Sequence, residues 1–282
     1  MNFDTLISDA LALEAEAAKD AHALGYMARA MVQATMPHKK APGHEFVRAN
    51  GTFTLSMLAP SVVGLPYGSV PRLLVAWITT EAVRTRSPTL ELGHTLSSFM
   101  AQLGLIPTGG RWGTITRLRE QMRRLFCSSV CCVYSDEAVD QILTIPIVVK
   151  AKLWWDPKSP EQTALWRSTI TLGEQFYDEA VNSPVPVDMR AIKLLKRSPM
   201  ALDVYCWLSY RLSYLKKPTT IPWKALQLQF GAEYARVRDF KRYFLAQLKV
   251  VQLAYPKARV EASEHGLVLR PSPVHVARLS SG

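Results

Sequence analysis

The chain has 282 residues, 48% hydrophobic and 20% charged, a globular composition with length enough for two domains of ordinary size. Thirty-four lysines and arginines against twenty-three acids leave a formal charge of +11, which favours an acidic partner, nucleic acid ahead of membrane. No run approaches the roughly 18 apolar residues of a membrane span, the acidic opening with Asp4 and Asp9 is unlike a secretory leader, and four cysteines fit a reducing cytoplasm better than a disulfide framework.

Residues 3–35 are rich in alanine and read as one helix, followed by the polar break PHKKAPGHE at 37–45. This N-terminal helical extension, 1–45, is acidic, with a net charge of −3 over its first 30 residues. The rest of the chain divides at Ser-Pro-Val-Pro-Val (183–187), where two prolines resist helix continuation and stiffen an extended linker. One domain is expected over 46–186 and another over 187–282.

In the first domain, FTLSML (53–58) reads as a strand and SVPRLLVAWITTEAVRT (69–85) as a helix. LGHTLSSFMAQLGL (92–105) reads as a shorter amphipathic helix opened near His94, and IPTGGRW as a glycine-bearing turn. RWGTITRLREQMRRLF (111–126) then carries five arginines against one acid. At about 100° per residue, Ile115, Leu118, Met122, Leu125 and Phe126 form its apolar stripe, with Arg117, Gln121 and Arg124 opposite. Two β-branched runs follow, separated by Ser135-Asp136-Glu137, and read as a hairpin whose second strand is an edge or ends at Pro146. A long connection (154–166), a strand (168–172) and a helix (174–181) complete the domain.

The second domain repeats this plan with little sequence identity. MRAIKLLKR and PMALDVYCWLSYRLSYL supply leading helices, with Pro199 in a first turn after Ser198, and residues 190–217 carry a net charge of +6. TIPWKALQLQF (220–230), a turn at Gly231 and AEYARVRDFKRYFLAQLKVV (232–251) follow. Val237, Phe240, Phe244, Leu248 and Val251 make the apolar stripe, Arg238, Arg242 and Lys249 the outer side, and Arg236 and Lys241 flank it. A second hairpin turns at Glu264-His265-Gly266.

Two helices with a turn are common. A nearly uncharged first helix followed by a basic second helix, twice, and each time by a hairpin, is more specific. The expected fold is therefore α+β, mainly α, with two tandem winged-helix domains (helix-turn-helix plus β-hairpin wing) and an N-terminal helix. Guanidinium groups with few acids beside them suit phosphate oxygens and guanine edges. The candidate DNA contacts are Arg111, Thr114, Thr116, Arg117, Gln121 and Arg124 in the first unit, with Arg111 and Trp112 anchoring the turn. In the second they are Arg236, Arg238, Arg242 and Lys249. Each arginine also fits a plain surface ion pair.

Enzymatic readings fare poorly. There is no G-x-x-x-x-G-K-[ST] phosphate loop, the six histidines are scattered, and Tyr205, Tyr210 and Tyr214 have the spacing of a core stripe rather than a nicking centre. The C-x-x-x-C-C group at 127–132 lacks a second ligand pair, so its cysteines read as structural rather than as a zinc site. No catalytic residue, metal or cofactor is expected.

ALGYMARAMVQATMPHKK (23–40), GLPYGSVPRLLVAWITTEAVRTRS (64–87) and TGGRWGTITRLREQMRRLF (108–126) resemble the plasmid-encoded RepA-type replication initiators, over roughly residues 20–275. The resemblance implies tandem winged helices that bind double-stranded DNA at directly repeated origin sequences (iterons). It also implies origin opening, recruitment of the host initiator and replicative helicase, and monomer and homodimer forms, the dimer repressing its own promoter. The residues themselves imply only two DNA-facing units, which a transcriptional repressor or a partition protein would also possess.

Overall fold

The computed structural model describes residues 13, 18, 21–33, 35–50, 53–135, 140–156, 158–163, 167–231 and 234–276. In chain order it contains β1 (Leu24–Met27), α1 (Arg29–Gln33), β2 (Glu45–Asn50), β3 (Phe53–Leu58), α2 (Ser69–Thr85), β4 (Thr89–Glu91), α3 (Leu96–Gln102) and α4 (Thr114–Phe126). Then come β5 (Ser129–Ser135), β6 (Asp140–Pro146), β7 (Val148–Lys152), β8 (Thr169–Leu172), α5 (Glu174–Asn182), β9 (Val185–Asp188), α6 (Met189–Leu195) and α7 (Pro199–Leu212). The chain continues through β10 (Thr219–Pro222), α8 (Trp223–Phe230), α9 (Val237–Ala254), β11 (Val260–Ala262) and β12 (Gly266–Leu269). The fold is mixed α/β, its described strands forming small antiparallel sheets. No helix among the described residues is long and apolar enough to cross a membrane.

Two helices organise the core. In α2, Leu73 to Ile78 are buried without interruption, and in α7 so are Met200 to Ser209, so both are apolar nearly all round and packed on every side. Ser198 caps α7, its side chain accepting the Ala201 N–H, with Pro199 in the first turn where a missing donor is harmless. Each central helix opens the same sequence of elements. After α2 come β4, α3 and α4, then β7 and β8 in a sheet ordered β4-β8-β7. After α7 come β10, α8 and α9, then β11 and β12 in a sheet ordered β10-β12-β11. The strand between the first two helices pairs with the last strand both times. The first copy differs by an insertion, β5–β6, placed between α4 and β7.

That insertion corrects one expectation. Residues 129–146 do form a hairpin, running in register from Ser129 opposite Pro146 to Ser135 opposite Asp140. It belongs, however, to a separate sheet ordered β2-β3-β5-β6. The hairpin equivalent to β11–β12 is β7–β8, whose strands lie on either side of the connection expected at 154–166. Its exposed Lys-Ala-Lys run carries no one-sided period for a sequence pattern to register. The single N-terminal helix over 3–35 is also corrected. Residues 24–27 are a strand, while most of 1–20 lie outside the described residues, as does the hairpin tip at Asp136 and Glu137. Smaller shifts occur at helix starts: α3 is capped by Thr95, whose side chain accepts the Ser98 N–H, not by His94, and residues 219–222 are strand before α8 begins.

Residues 183–187 are no exposed spacer. They lead into β9, which is buried at every position and pairs antiparallel with β1. The absent N–H of Pro186 is tolerable because this ladder has only two strands. Gly25 of β1 lies where an added Cβ would come within 2.4 Å of the Met189 sulfur, so a side chain there would have to displace Met189 of α6. The cysteines divide: Cys132 and Cys206 are buried, Cys131 half-buried and Cys127 exposed.

The two halves meet through a buried charge cluster. Arg72 of α2 donates from Nε and Nη2 to the two carboxylate oxygens of Asp203 on α7, each at 2.7 Å. The rest of its guanidinium is bound to the carbonyls of Met36, Pro37 and Gly68. His38 Nε2 lies 2.7 Å from Asp203 Oδ2, and a carboxylate only accepts, so neutral His38 donates there. Burial alone would raise the Asp203 carboxyl, but the Arg72 charge and the hydrogen bonds from His38 and Arg72 outweigh it and hold the pKa low. Burial depresses the His38 imidazole below its ordinary 6.5; the Asp203 hydrogen bond opposes this and the Arg72 charge reinforces it.

Removing one partner strands the other, so Asp203→Asn should cost about 3–5 kcal/mol in denaturant unfolding. Both shifts have one sign for stability. An acid and a base with folded pKa values below their unfolded ones hold fewer protons in the native state, so stability present at neutral pH is lost on acidification. The loss opens near the ordinary imidazole value of 6.5 and resumes below the ordinary carboxylate value of 3.8. Unfolding midpoints should therefore fall between about pH 7 and pH 5. His38→Asn should flatten that fall in part, since burial depresses His275 as well. An unaltered slope in this variant would place His38 outside the linkage.

Candidate nucleic-acid interface

The turn between α3 and α4 is built from threonines and glycines. Thr108 and Thr114 bond reciprocally, each hydroxyl oxygen accepting the other's backbone N–H at 2.9 Å, and Thr114 Oγ1 also donates to the Ile106 carbonyl. Thr116 Oγ1 donates to the Gly110 carbonyl at 2.9 Å. Gly110 has φ +85°, a conformation that L side chains rarely adopt, and a Cβ on Gly113 would fall 2.2 Å from the Thr108 carbonyl oxygen. The T-G-G-x-x-G spacing therefore makes a compact turn that launches α4, and the hydroxyls of Thr114 and Thr116 are spent in it. The side chains of Arg111 and Trp112 project from this turn, the guanidinium 5.0 Å from the indole centroid, and Trp112 is 80% exposed rather than an anchor.

Helix α4 buries Ile115, Leu118, Gln121, Met122 and Leu125. Gln121 is thus not an outer residue: its Oε1 accepts the Tyr67 N–H at 2.9 Å. Arg124 also turns inward. Its Nη1 donates to the Leu65 carbonyl at 3.1 Å, its Nε to Glu120 at 3.0 Å, and its guanidinium lies over the Tyr67 ring. Both side chains clamp the 64–67 loop onto the helix. Replacing half-buried Phe126 by Gln121 in the buried stripe rotates the outward face by roughly 30° at 100° per residue. That face carries Thr116, Arg117, Arg119, Glu120 and Arg123, all exposed. Arg119 and Arg123 were missed, and Glu120, the acid among them, is paired with Arg124.

The second unit agrees with its sequence pattern. Phe240, Phe244, Leu248, Val251 and Ala254 of α9 are buried, while Arg236, Arg238, Arg242 and Lys249 are exposed. Arg238, Arg242 and Lys249 fall within about 40° of one another around the helix. Arg242 is 84% exposed, and its contact with Asp239, at 3.7 Å, is loose. Lys241 points back over the Trp223 ring and donates to the Ser263 carbonyl. Gln227 holds the preceding turn by donating to the Tyr234 carbonyl at 2.6 Å.

Two elements at equivalent places in the duplicated plan thus present arginines and lysines outward. A helix fits the major groove, and such a face suits phosphate oxygens and base edges there. The edge strand β7 adds exposed Lys150 and Lys152, also missed. Tyr205 is fully buried, taking the Asp188 N–H and lying 2.8 Å from His275 Nδ1, so it is a core group. Among the described residues no cluster of three or more His, Cys, Asp or Glu could hold a metal ion.

Residues 65–224 match the family described as plasmid encoded RepA protein. No curated protein matches the chain in sequence. The crystal structure of RctB domains 2-3 (RctB-155-483) is similar at a TM-score of 0.50 and 10% identity, covering 84% of this chain and 93% of that one. The crystal structure of selenomethionine derivatives of RctB domain 2 and domain 3 gives 0.51 and 10%, covering 83% and 86%. At such identity the likeness is one of fold.

Because Gln121 serves the 64–67 loop, Gln121→Met should cost about 1–3 kcal/mol by leaving the Tyr67 N–H without its acceptor. A variant as stable as the parent in urea unfolding would show that this hydrogen bond is dispensable.

Proposed function

The chain belongs to the plasmid-encoded RepA family of replication initiators, and from that premise we propose that it grips directly repeated origin sequences through two winged helices. In this reading α4 and α9 are the recognition helices, and β7–β8 and β11–β12 the wings. The observation that carries it is the repetition of one element order and one sheet order, each copy turning a cationic helix face outward.

The contacts we assign are Arg111, Arg117, Arg119 and Arg123 in the first unit and Arg236, Arg238, Arg242 and Lys249 in the second. A single chain with two different readers has no internal two-fold axis, so its site is not a palindrome. Several copies would then bind sites repeated head to tail, whereas a homodimer would match an inverted repeat and suit repression of its own gene. The protein acts in the cytoplasm by binding, without a catalytic step of its own. It bends or opens the origin and presents it to the host initiator and replicative helicase.

Footprinting on DNA flanking its own gene tests this directly. Regularly spaced, directly repeated protections are expected; a single inverted repeat would instead indicate a repressor. Arg123→Ala and Arg242→Ala separate the kinds of contact. A base-reading arginine costs about 1–3 kcal/mol and relaxes preference at one position, whereas a phosphate contact weakens all sequences and lowers the salt slope by about one. If neither variant altered affinity or salt dependence, α4 and α9 would not be the DNA-facing helices.

A further inference from the structure

The reading above leaves open where the protein would deform the duplex. Strand β7 is the outer strand of its sheet, and Val149, Lys150, Ala151, Lys152, Leu153 and Trp154 are all exposed in succession. A strand half-packed on a core buries every second residue; here both faces leave the body. Val149 bulges out of register, since Val148 pairs with Leu172 and Lys150 with Thr171. At the far end the segment is anchored to the core. Trp155 stacks on Phe99 at 5.1 Å, Phe99 packs edge-on against Trp77 at 5.0 Å, and the Trp154 N–H donates to Ser168 Oγ at 2.9 Å.

Edge strands commonly carry lysines to discourage pairing with other strands, which would explain Lys150 and Lys152. It would not explain Val149, Leu153 and Trp154, exposed by 59%, 45% and 51%, because exposed apolar groups undo that protection. Cations followed by an apolar tip suit a polyanion with an apolar interior. The next acids along the chain are Asp156, whose carboxylate accepts the Lys158 N–H, and exposed Glu161; Glu91 is paired with Arg167. The corresponding hairpin β11–β12 lacks this character. It turns within four residues, and its exposed groups include Glu261 and Glu264.

Resting on the DNA-binding reading, we propose that β7 and the Leu153–Trp154 tip form a minor-groove wedge that kinks the duplex beside the site held by α4. Lys150 and Lys152 take phosphates on the groove walls, and Leu153 enters a base step with Trp154 against the opened base. Partial unstacking by an apolar wedge bends DNA, least expensively at a flexible pyrimidine–purine step.

The test uses a duplex selected from a random pool by the full chain, carrying 2-aminopurine at successive steps. Parent protein should bend it in a circular-permutation mobility assay and raise the fluorescence at one step. Leu153→Ala/Trp154→Ala should retain affinity within about tenfold, because lost contacts and relieved deformation offset each other, while bend and fluorescence rise disappear. Lys150→Ala/Lys152→Ala should lower the salt slope by about two. If the apolar variant bends and unstacks the duplex like the parent, the wedge is refuted and the DNA-binding reading stands. If it loses self-association in sedimentation but not bending, the tip is a protein contact and the wedge is refuted. Should the full chain select no duplex, the DNA-binding reading falls and the wedge falls with it.

Discussion

The buried contact among Arg72, Asp203 and His38 constrains everything outside it. A carboxylate at 7% exposure is tolerable only if its charge is met and its lone pairs are filled. Arg72 meets the charge with two parallel bonds, and His38 takes a further lone pair. Arg72 in turn fixes the carbonyls of Met36, Pro37 and Gly68, so one guanidinium ties the 36–38 segment, the start of α2 and the centre of α7 together. A planar guanidinium has few arrangements that satisfy so many acceptors at once. The cluster therefore specifies an angle between the two central helices, which an apolar contact of similar area would leave freer to slide.

Around this point the segments that precede each copy add further contacts of different kinds. The β1–β9 ladder closes the approach to α7 against the segment before α2, and the Gln229 side chain donates to the Gln33 carbonyl while Thr35 donates to that of Gln229. Lys196 donates to the Gly104 carbonyl at the end of α3. Each copy is thus held at its scaffold side, away from the exposed faces of α4 and α9. The inserted β5–β6 hairpin extends a sheet with β2 and β3 and does not alter the order β4-β8-β7, which explains how one copy could carry an extra layer while keeping the shared plan.

Legibility in the sequence followed the range of the forces involved. Helix α2 was read to the residue, because continuous apolarity, a first-turn proline and length are local signals. The outward stripe of α9 was also read correctly, since its buried positions are all apolar. On α4 the same reasoning placed four of the five buried positions but put Gln121 outside, since it looks like a surface residue until Tyr67, 54 positions away, supplies its donor. Arg124 failed for the same reason, as charge does not reveal that a guanidinium will bond a carbonyl of its own chain. The β1–β9 ladder was invisible because Gly25 and Pro186 read as breakers, and a pairing across some 160 residues leaves no local period. Strand β7 was hidden by its own exposure.

The stiffness of the scaffold bears on how DNA binding would be converted into strand opening. Two recognition helices on a flexible joint would settle into their grooves by moving relative to one another, and the duplex would stay nearly straight. With β9 buried and the Arg72–Asp203 contact tying α2 to α7, such adjustment would have to break a buried contact. In the proposed reading, the duplex rather than the joint would then take up the deformation that the β7 tip introduces. Bending a short site by tens of degrees costs about 1–6 kcal/mol, within what a few charge-assisted contacts supply. Breaking the seam's buried charge pair would add a cost of the same order, about 3–5 kcal/mol. In the proposed reading the wedge would direct that deformation to a flexible A·T-rich step.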